Sequence, residues 1–258
     1  MTIVTCVKVR DGLVLGTDSM AHIQRGGEFL RSFEHATKLF QVRDLPMGVM
    51  SYGLGNVGHR SIESLMREFG RKLKKEQKTV DAVGKALFKF MKKEYDAHAE
   101  ALPEGEELPA LGFYLAGYSP GQVFAEEREF SLPETSKPST PIEKEEFGAT
   151  WRGVHAPFWR LSMGYGLLVR TRLEEGGLTE EVAGALLDDL KINVVFDGMP
   201  VQDAVDYAVF ILNTTIGFTT FSMQLSPCGG PLQVATILPD SGFNWLAKPE
   251  LKIKGPDV

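Results

Sequence analysis

Residues 1–18 read MTIVTCVKVRDGLVLGTD. Two runs in this stretch, Thr2 to Val9 and Leu13 to Thr17, are rich in the β-branched and apolar residues that favour strands. Asp11-Gly12 lies near their junction and is a strong signal for a tight hairpin turn. The stretch therefore predicts a β-hairpin that brings the Thr2 hydroxyl close to a carboxylate, Asp18, at the end of the second strand.

Thr2 is the candidate nucleophile of this hairpin. It follows the initiator methionine, so removal of Met1 would give one residue both a hydroxyl and a free α-amine. Such a residue can supply the nucleophile and the general base together. Threonine is also common in strands for reasons unrelated to catalysis, so the interpretation of Thr2 depends on the residues that accompany it.

The composition is that of a globular protein. The chain has 258 residues, 43% hydrophobic and 24% charged, which favours one layered domain over residues 1–258. The net charge of −6 without a long basic run disfavours a nucleic-acid partner. Cys6 and Cys228 form no disulfide framework and have no metal-ligand spacing around them. We therefore expect no cofactor and no metal.

The location is predicted from what the sequence lacks. The N-terminus does not have the charged-then-apolar pattern of a signal peptide. We find no apolar run that approaches the roughly 20 residues needed to cross a bilayer. These features predict a cytoplasmic protein with no membrane partner, and residues 239–258 are expected to form an irregular tail.

The order of predicted elements indicates the fold class. Strand signals continue at 37–42, 46–52, 110–118, 122–132, 143–150 and 232–238, and helical spacing marks 57–73, 80–95, 157–173, 180–190 and 201–218. Asn56 and Thr79 are the expected N-caps of the first two helices, and 21–34 and 133–141 are predicted loops. Strands and helices cluster rather than alternate, which favours antiparallel sheets with segregated helices.

A glycine motif offers a competing function. Residues 53–58 read GLGNVG, which fits the GxGxxG pattern of dinucleotide-binding proteins. That pattern requires a βαβ unit, whereas here a second long helix follows and no strand is predicted before Ala110. Residues 71–78, where the ribose-binding acid would lie, form a basic helix end. The alternatives are a close-packing turn or a backbone N–H of Gly53 that stabilises an oxyanion.

These residues together resemble the proteasome-like branch of the N-terminal-nucleophile (Ntn) hydrolases, the 20S proteasome β subunits and their bacterial relatives. The opening from Thr2 to Asp18 matches that family without a gap. Residues 36–42 (ATKLFQV) are similar to the segment that carries its catalytic lysine, after an insertion within 21–34. Residues 51–55 (SYGLG) resemble its glycine turn, and 228–235 (CGGPLQVA) resemble its Ser-Gly-Gly approach to a late strand.

The resemblance implies an α+β fold, a four-layer αββα sandwich of two antiparallel sheets flanked by helices. It implies that Thr2 attacks a carbonyl carbon, that Lys38 lowers the pKa of the Thr2 amine, that Asp18 pairs with Lys38, and that Gly53 donates to the oxyanion. The implied function is an N-terminal threonine hydrolase of amide bonds, acting on peptide or amide substrates. The implied assembly is a homo-oligomer, a ring or related form, with any unfoldase partner unknown.

Departures from the family leave alternatives open. The match to its accessory Gly-Ser-Gly turn is Gly148-Ala149-Thr150, which lacks the serine. Its later accessory aspartate and serine fall near Leu225 and Cys228, and neither residue type is kept. The candidates to replace those hydroxyls are Thr219, Thr220, Ser222 and Ser226. The alternatives are a non-catalytic proteasome-like structural subunit that retains Met1, and an amidase of the same mechanism for small substrates.

Overall fold

The strands of this chain form two main sheets and two small hairpins. The structure is a computed structural model that describes residues 2–25, 28–103, 106, 108–222, 225–248 and 250–251. Its strands are β1 (Ile3–Val9), β2 (Gly12–Thr17), β3 (Ala21–Arg25), β4 (Glu28–Phe33), β5 (Leu39–Gln41), β6 (Met47–Gly53), β7 (Asn56–Val57), β8 (Arg60–Ser61), β9 (Leu111–Gly117), β10 (Glu126–Leu132), β11 (Gly148–Gly153), β12 (Gln233–Leu238) and β13 (Gly242–Ala247).

These strands build two main antiparallel sheets. The first has the order β11-β1-β2-β12-β13 and the second the order β10-β9-β6-β5. The opening hairpin is confirmed as β1 and β2, which pair antiparallel with Val4 opposite Thr17 and Val9 opposite Gly12. Two small hairpins, β3–β4 and β7–β8, stand apart from the main sheets.

The helices are α1 (Ile62–Lys72), α2 (Val80–Ala99), α3 (Ala156–Met163), α4 (Val169–Glu175), α5 (Glu180–Asp188) and α6 (Val201–Ser222). Thr79 is confirmed as the N-cap of α2, since its side chain accepts from the Ala82 N–H. Asn56 is not the N-cap of α1. The chain first forms β7–β8, and Ser61 caps the helix instead.

Several elements differ from the sequence prediction; the strand predicted at 143–150 is β11, shifted toward the C-terminus, and the helix predicted from 57 begins only at Ile62. Residues 21–34 contain the β3–β4 hairpin rather than a loop. Phe29 and Phe33 of this hairpin are exposed, so the sequence here lacks the alternation of buried and exposed residues by which a strand is recognised. The helix predicted over 157–173 is interrupted because Gly164 adopts a left-handed conformation (φ 77°) that ends α3. The tail predicted to be irregular contains β13, paired with β12, while residues 252–258 lie outside the described residues.

Four apolar clusters of described residues order the elements and confirm the α+β class with antiparallel sheets and segregated helices, and the smallest of them joins Ile3, Leu212 and Cys228. One cluster lies between the two sheets and includes Val4, Leu15, Met50, Tyr114 and Ala116. A second joins the second sheet to α1 and α2 and includes Leu65, Phe69, Leu87, Met91 and Phe113. A third joins the first sheet to α3 and α6 and includes Val7, Val14, Phe158, Ala208 and Ile211.

Helix α6 has the length and composition of a membrane span. Within the described residues it alone is long and apolar enough to cross a bilayer, with 22 residues and about a third of its most apolar stretch buried. The expectation that no apolar segment approaches the roughly 20 residues of a membrane span is therefore corrected for α6. The helix packs against β1 and β2 and buries residues such as Ala208 and Leu212, so packing in the fold accounts for part of its apolar character.

A buried polar network links the two sheets beside the inter-sheet cluster. The Glu127 carboxylate on β10 accepts from the Tyr114 hydroxyl at 2.8 Å and from the Cys6 thiol at 3.4 Å. Glu127 is fully buried, and this burial raises the pKa of its carboxyl, while the Tyr114 hydrogen bond and the nearby Lys8 ammonium oppose the rise. The folded chain therefore holds the Glu127 proton more tightly than the unfolded chain does.

This network predicts a pH-dependent stability. Protonated Glu127 adds to the free energy of unfolding. This stabilisation is fully present below pH 4.5, the ordinary pKa of a glutamate, and is lost as the pH rises through the pKa that Glu127 has in the folded chain. We expect the Glu127 contribution to the free energy of unfolding of the wild type to fall over that interval. Glu127→Gln cannot ionise and should remove this fall. Urea unfolding at a series of pH values checks it, with Glu126→Gln on the same strand as control. Equal pH profiles for the wild type and Glu127→Gln would contradict the assignment.

Candidate active site

Asp18 lies where β2 ends, beside the start of β1. Its carboxylate oxygen Oδ1 accepts from the Ile3 N–H at 3.1 Å, and its own N–H donates to the Ile3 carbonyl at 3.3 Å. The other oxygen, Oδ2, accepts from the N–H groups of Met20 at 3.1 Å and Gly229 at 3.0 Å. Asp18 is fully buried, so these backbone donors replace the water that the carboxylate loses. The carboxylate is thereby fixed one residue from Thr2.

Lys38 reaches Asp18 from the other sheet. It immediately precedes β5, and its Nζ lies 2.9 Å from Asp18 Oδ1 and donates to the Met20 carbonyl at 2.5 Å. Lys38 is 7% exposed. Burial lowers the pKa of its ammonium, and attraction to Asp18 opposes that change. The two sheets are thus bridged at this point by a buried ion pair.

Thr2 is held by the end of β11. Its carbonyl accepts from the Val154 N–H at 2.8 Å. Gly153 has a φ of +80°, and a Cβ there would lie 1.9 Å from the Thr2 carbonyl oxygen, so only glycine allows this approach. Thr2 immediately precedes β1, so the alternation of side chains along a strand predicts that it shares the face that Val4 presents to the inter-sheet cluster. Thr2 is 4% exposed.

Gly53 ends β6, two residues beyond Ser51, whose N–H donates to the Lys38 carbonyl at 2.9 Å. Gly53 has a φ of +88°, and a Cβ there would lie 2.1 Å from the Ala110 carbonyl oxygen. The glycine therefore has a packing requirement of its own. Its role toward an oxyanion remains a prediction.

The GxGxxG segment does not have the structure of a dinucleotide site. β6 leads into β7–β8, and α1 begins only at Ile62. The strand that follows the two helices, β9, pairs antiparallel with β6, with Gly53 opposite Leu111. A βαβ unit requires parallel strands, so the dinucleotide interpretation loses its structural basis. In the described part of the chain, no group of three His, Cys, Asp or Glu residues is arranged to hold a metal ion.

Two of the suggested replacement hydroxyls meet near the ion pair. Thr219 Oγ1 lies 3.2 Å from Ser226 Oγ and 3.5 Å from Cys228 Sγ. Burial raises the pKa of the Cys228 thiol to about 11, so it is a protonated thiol at neutral pH. The adjacent residue, Gly229, donates its N–H to Asp18. Cys228, the buried residue at the position of the family's late serine, therefore lies directly beside a residue that binds Asp18.

The other accessory matches lie elsewhere. Thr150 is in β11, paired with Cys6, and its hydroxyl donates to Tyr114 at 2.8 Å in the Glu127 network. Thr220 and Ser222 are exposed, and Leu225 is 41% exposed. Gly148-Ala149-Thr150 is strand rather than the turn that the sequence match requires.

Backbone groups at this site were not found by sequence reasoning. The Met20 carbonyl, the Gly229 N–H and the Gly153–Val154 segment hold Lys38, Asp18 and Thr2 respectively. Backbone groups carry no residue-type signal. The Gly229-Gly230 pair is the one sequence signal near these groups, since glycine readily adopts the positive φ that both residues have.

Comparison with known proteins gives a similarity of fold. No protein-family model and no curated protein matches the chain. Among solved structures, Anbu (ancestral beta-subunit) from Yersinia bercovieri has a TM-score of 0.51 at 12% identity, with 96% of this chain and 87% of that chain covered. An Anbu (Gly-1) mutant from Hyphomicrobium sp. strain MC1 has a TM-score of 0.50 at 12% identity, with 96% and 88% covered.

These findings correct the identification made from the sequence. The chain has a proteasome-like fold similar to that of the Anbu proteins. Its assignment to the 20S β-subunit-like Ntn hydrolases is wrong as a statement of family. The two solved structures named above are Anbu proteins, no family model supports the assignment, and 12% identity establishes the fold alone.

Proposed function

We propose that this chain is an N-terminal threonine hydrolase that cleaves amide bonds, with peptides as the leading substrate class. The observation that carries the proposal is the buried Asp18–Lys38 pair, whose carboxylate is bound to the Ile3 N–H directly after Thr2. Buried ion pairs are costly to form, and this one lies where a nucleophile at Thr2 would use a fixed positive charge.

The proposed reaction begins with removal of Met1. Thr2 Oγ1 then attacks the carbonyl carbon of the amide while the Thr2 α-amine takes the hydroxyl proton. The oxyanion that forms would receive a backbone N–H, for which Gly53 is the candidate. Collapse breaks the C–N bond, the leaving amine takes the proton, and an ester remains on Thr2. Water, deprotonated by the same amine, hydrolyses that ester and restores Thr2.

Lys38 and Asp18 serve this reaction electrostatically. An ammonium near the Thr2 amine lowers the pKa of that amine and favours its neutral, basic form at neutral pH. Asp18 keeps Lys38 charged against the desolvation that lowers its own pKa. Both residues are buried, so water screens their effect less than it would at a surface.

The proposal includes a fold and an assembly. The apolar clusters between the two sheets and between each sheet and its helices support a single domain arranged as a four-layer αββα sandwich. Exposed aromatic side chains on α6, Phe218 at 53% and Phe221 at 92%, support self-association into a homo-oligomer, since exposed apolar surface is often covered by a partner. The proposed location is the cytoplasm, on the basis of the sequence.

A non-catalytic structural subunit is the second candidate. It is favoured by the accessory positions, where Cys228 replaces a serine and Thr150 lies in a strand away from Thr2. In this candidate Met1 is retained. The Asp18 hydrogen bonds then serve only to join β1, β2 and the segment that leads into β12.

Intact mass and covalent labelling test the proposal. We expect the purified protein to lack one methionine, and a short peptide epoxyketone to form an adduct at Thr2. The hydroxyl adds to the ketone and the amine opens the epoxide, so the adduct requires both groups on one residue. Peptide mapping by mass spectrometry locates it. Protein that retains Met1 and forms no adduct would favour the structural subunit.

A further inference from the structure

Gln233 crosses the same gap between the sheets that the ion pair crosses. It begins β12 in the first sheet, opposite Thr17 and thus next to Asp18 in the neighbouring strand. Its side chain is fully buried and contacts the segment that leads into β5 of the second sheet. A buried amide is costly unless it is hydrogen-bonded, so its partners indicate what it holds.

Three hydrogen bonds join this amide to the backbone around Lys38. Gln233 Oε1 accepts from the N–H groups of Lys38 and Leu39, both at 3.1 Å. Gln233 Nε2 donates to the Ala36 carbonyl at 2.7 Å. The Lys38 carbonyl is bound from the other side by the Ser51 N–H at 2.9 Å. The Lys38 backbone is therefore fixed from both sheets.

We propose that Gln233 is a positioning residue that sets the separation of Lys38 and Asp18 by fixing the Lys38 backbone to the strand beside Asp18. It acts on the proposed hydrolase through Lys38, so this inference rests on the proposed function for its catalytic consequence. The placement of the Lys38 backbone by Gln233 does not depend on whether the chain is a hydrolase, and it can be tested without an activity assay.

A matched pair of variants tests the inference. Gln233→Met keeps the length of the side chain and removes all three hydrogen bonds. Gln233→Glu keeps an acceptor for the Lys38 and Leu39 N–H groups and loses the donor to Ala36, so it guards against a variant that does not fold. Val234→Ala, a buried change on the same strand, is the control for a general loss of stability.

The first readout is the rate of labelling by the peptide epoxyketone. A displacement of about 1 Å can cost on the order of a hundredfold in rate, so we expect Gln233→Met to lose about a hundredfold in the maximal labelling rate with little change in half-saturating concentration. Gln233→Glu should be intermediate and Val234→Ala near the wild type. Equal maximal rates in the wild type and Gln233→Met would overturn the inference.

The second readout does not depend on catalysis. In protein carrying ¹³Cε-lysine, the Lys38 signal, assigned by its loss in Lys38→Met, is titrated by NMR. Attraction to Asp18 raises the Lys38 pKa against the effect of burial, so we expect Gln233→Met, which loosens the contact with Asp18, to lower the Lys38 pKa further. An unchanged Lys38 titration would overturn the inference. If the wild type forms no adduct, the proposed function fails and this titration alone decides the role of Gln233.

Discussion

Thr2→Ala is expected to abolish both epoxyketone labelling and amide hydrolysis. Without the hydroxyl there is no attacking oxygen, and removal of a nucleophile typically costs about 10⁴-fold or more in rate. Because Thr2 is held through its backbone carbonyl by Val154, the substitution should leave the fold intact. Hydrolysis of a fluorogenic peptide and peptide mapping of the adduct measure the effect.

Two control variants separate chemistry from shape. Thr2→Ser keeps the hydroxyl and the amine and should retain activity. Thr2→Val keeps the branched shape and the amine, lacks the hydroxyl, and should behave as Thr2→Ala. All three require the intact mass to show that Met1 is absent. An adduct that persists at another residue in Thr2→Ala would remove Thr2 from the proposal.

Asp18→Asn is expected to destabilise the fold by about 3–5 kcal/mol, because it leaves a buried ammonium unpaired. The substitution also places an amide NH₂ against backbone donors. In the wild type, Asp18 Oδ2 accepts from the N–H groups of Met20 and Gly229. One terminal atom of an Asn is the NH₂ nitrogen, which cannot accept a hydrogen bond, so the donors that face this atom lose their partner. We also expect labelling of Thr2 to fall about a hundredfold or more, since Lys38 loses the group that fixes it. Urea unfolding and labelling rates measure the two effects.

Lys38→Met is the partner variant. It should destabilise less than Asp18→Asn, because the Asp18 carboxylate keeps its backbone donors at Ile3, Met20 and Gly229. It should nevertheless reduce labelling as strongly, because the positive charge is gone. A Lys38→Met protein that labels at the wild-type rate would leave the ion pair with a structural role only, in agreement with the second candidate function.

Local sequence patterns were enough to predict the part of the candidate site that lies on the β1–β2 hairpin. The hairpin follows from two apolar runs around Asp11-Gly12, and pairing of its strands places Asp18 beside Ile3. The Thr79 cap follows from local chemistry in the same way. Such features depend on residues close together in the chain, where strand pairing and capping rules apply directly.

The rest of the site depends on contacts between distant segments. Gly229 is 211 positions from Asp18 along the chain, and Gln233 is 195 from Lys38. Backbone donors have no residue signature, so their positions emerge only with the fold. The β3–β4 hairpin was missed because it packs in neither main sheet, which leaves an exposed two-stranded ribbon without the alternation that marks a half-buried strand.

The attachment of Thr2 has a consequence for maturation. Its described anchors, the Val154 bond to the Thr2 carbonyl and the Asp18 bond to the Ile3 N–H, all lie on the C-terminal side of the Met1–Thr2 peptide bond. Cleavage of that bond breaks none of them. Trimming of the initiator would thus unmask an amine in a framework already assembled, with no refolding step between precursor and mature form.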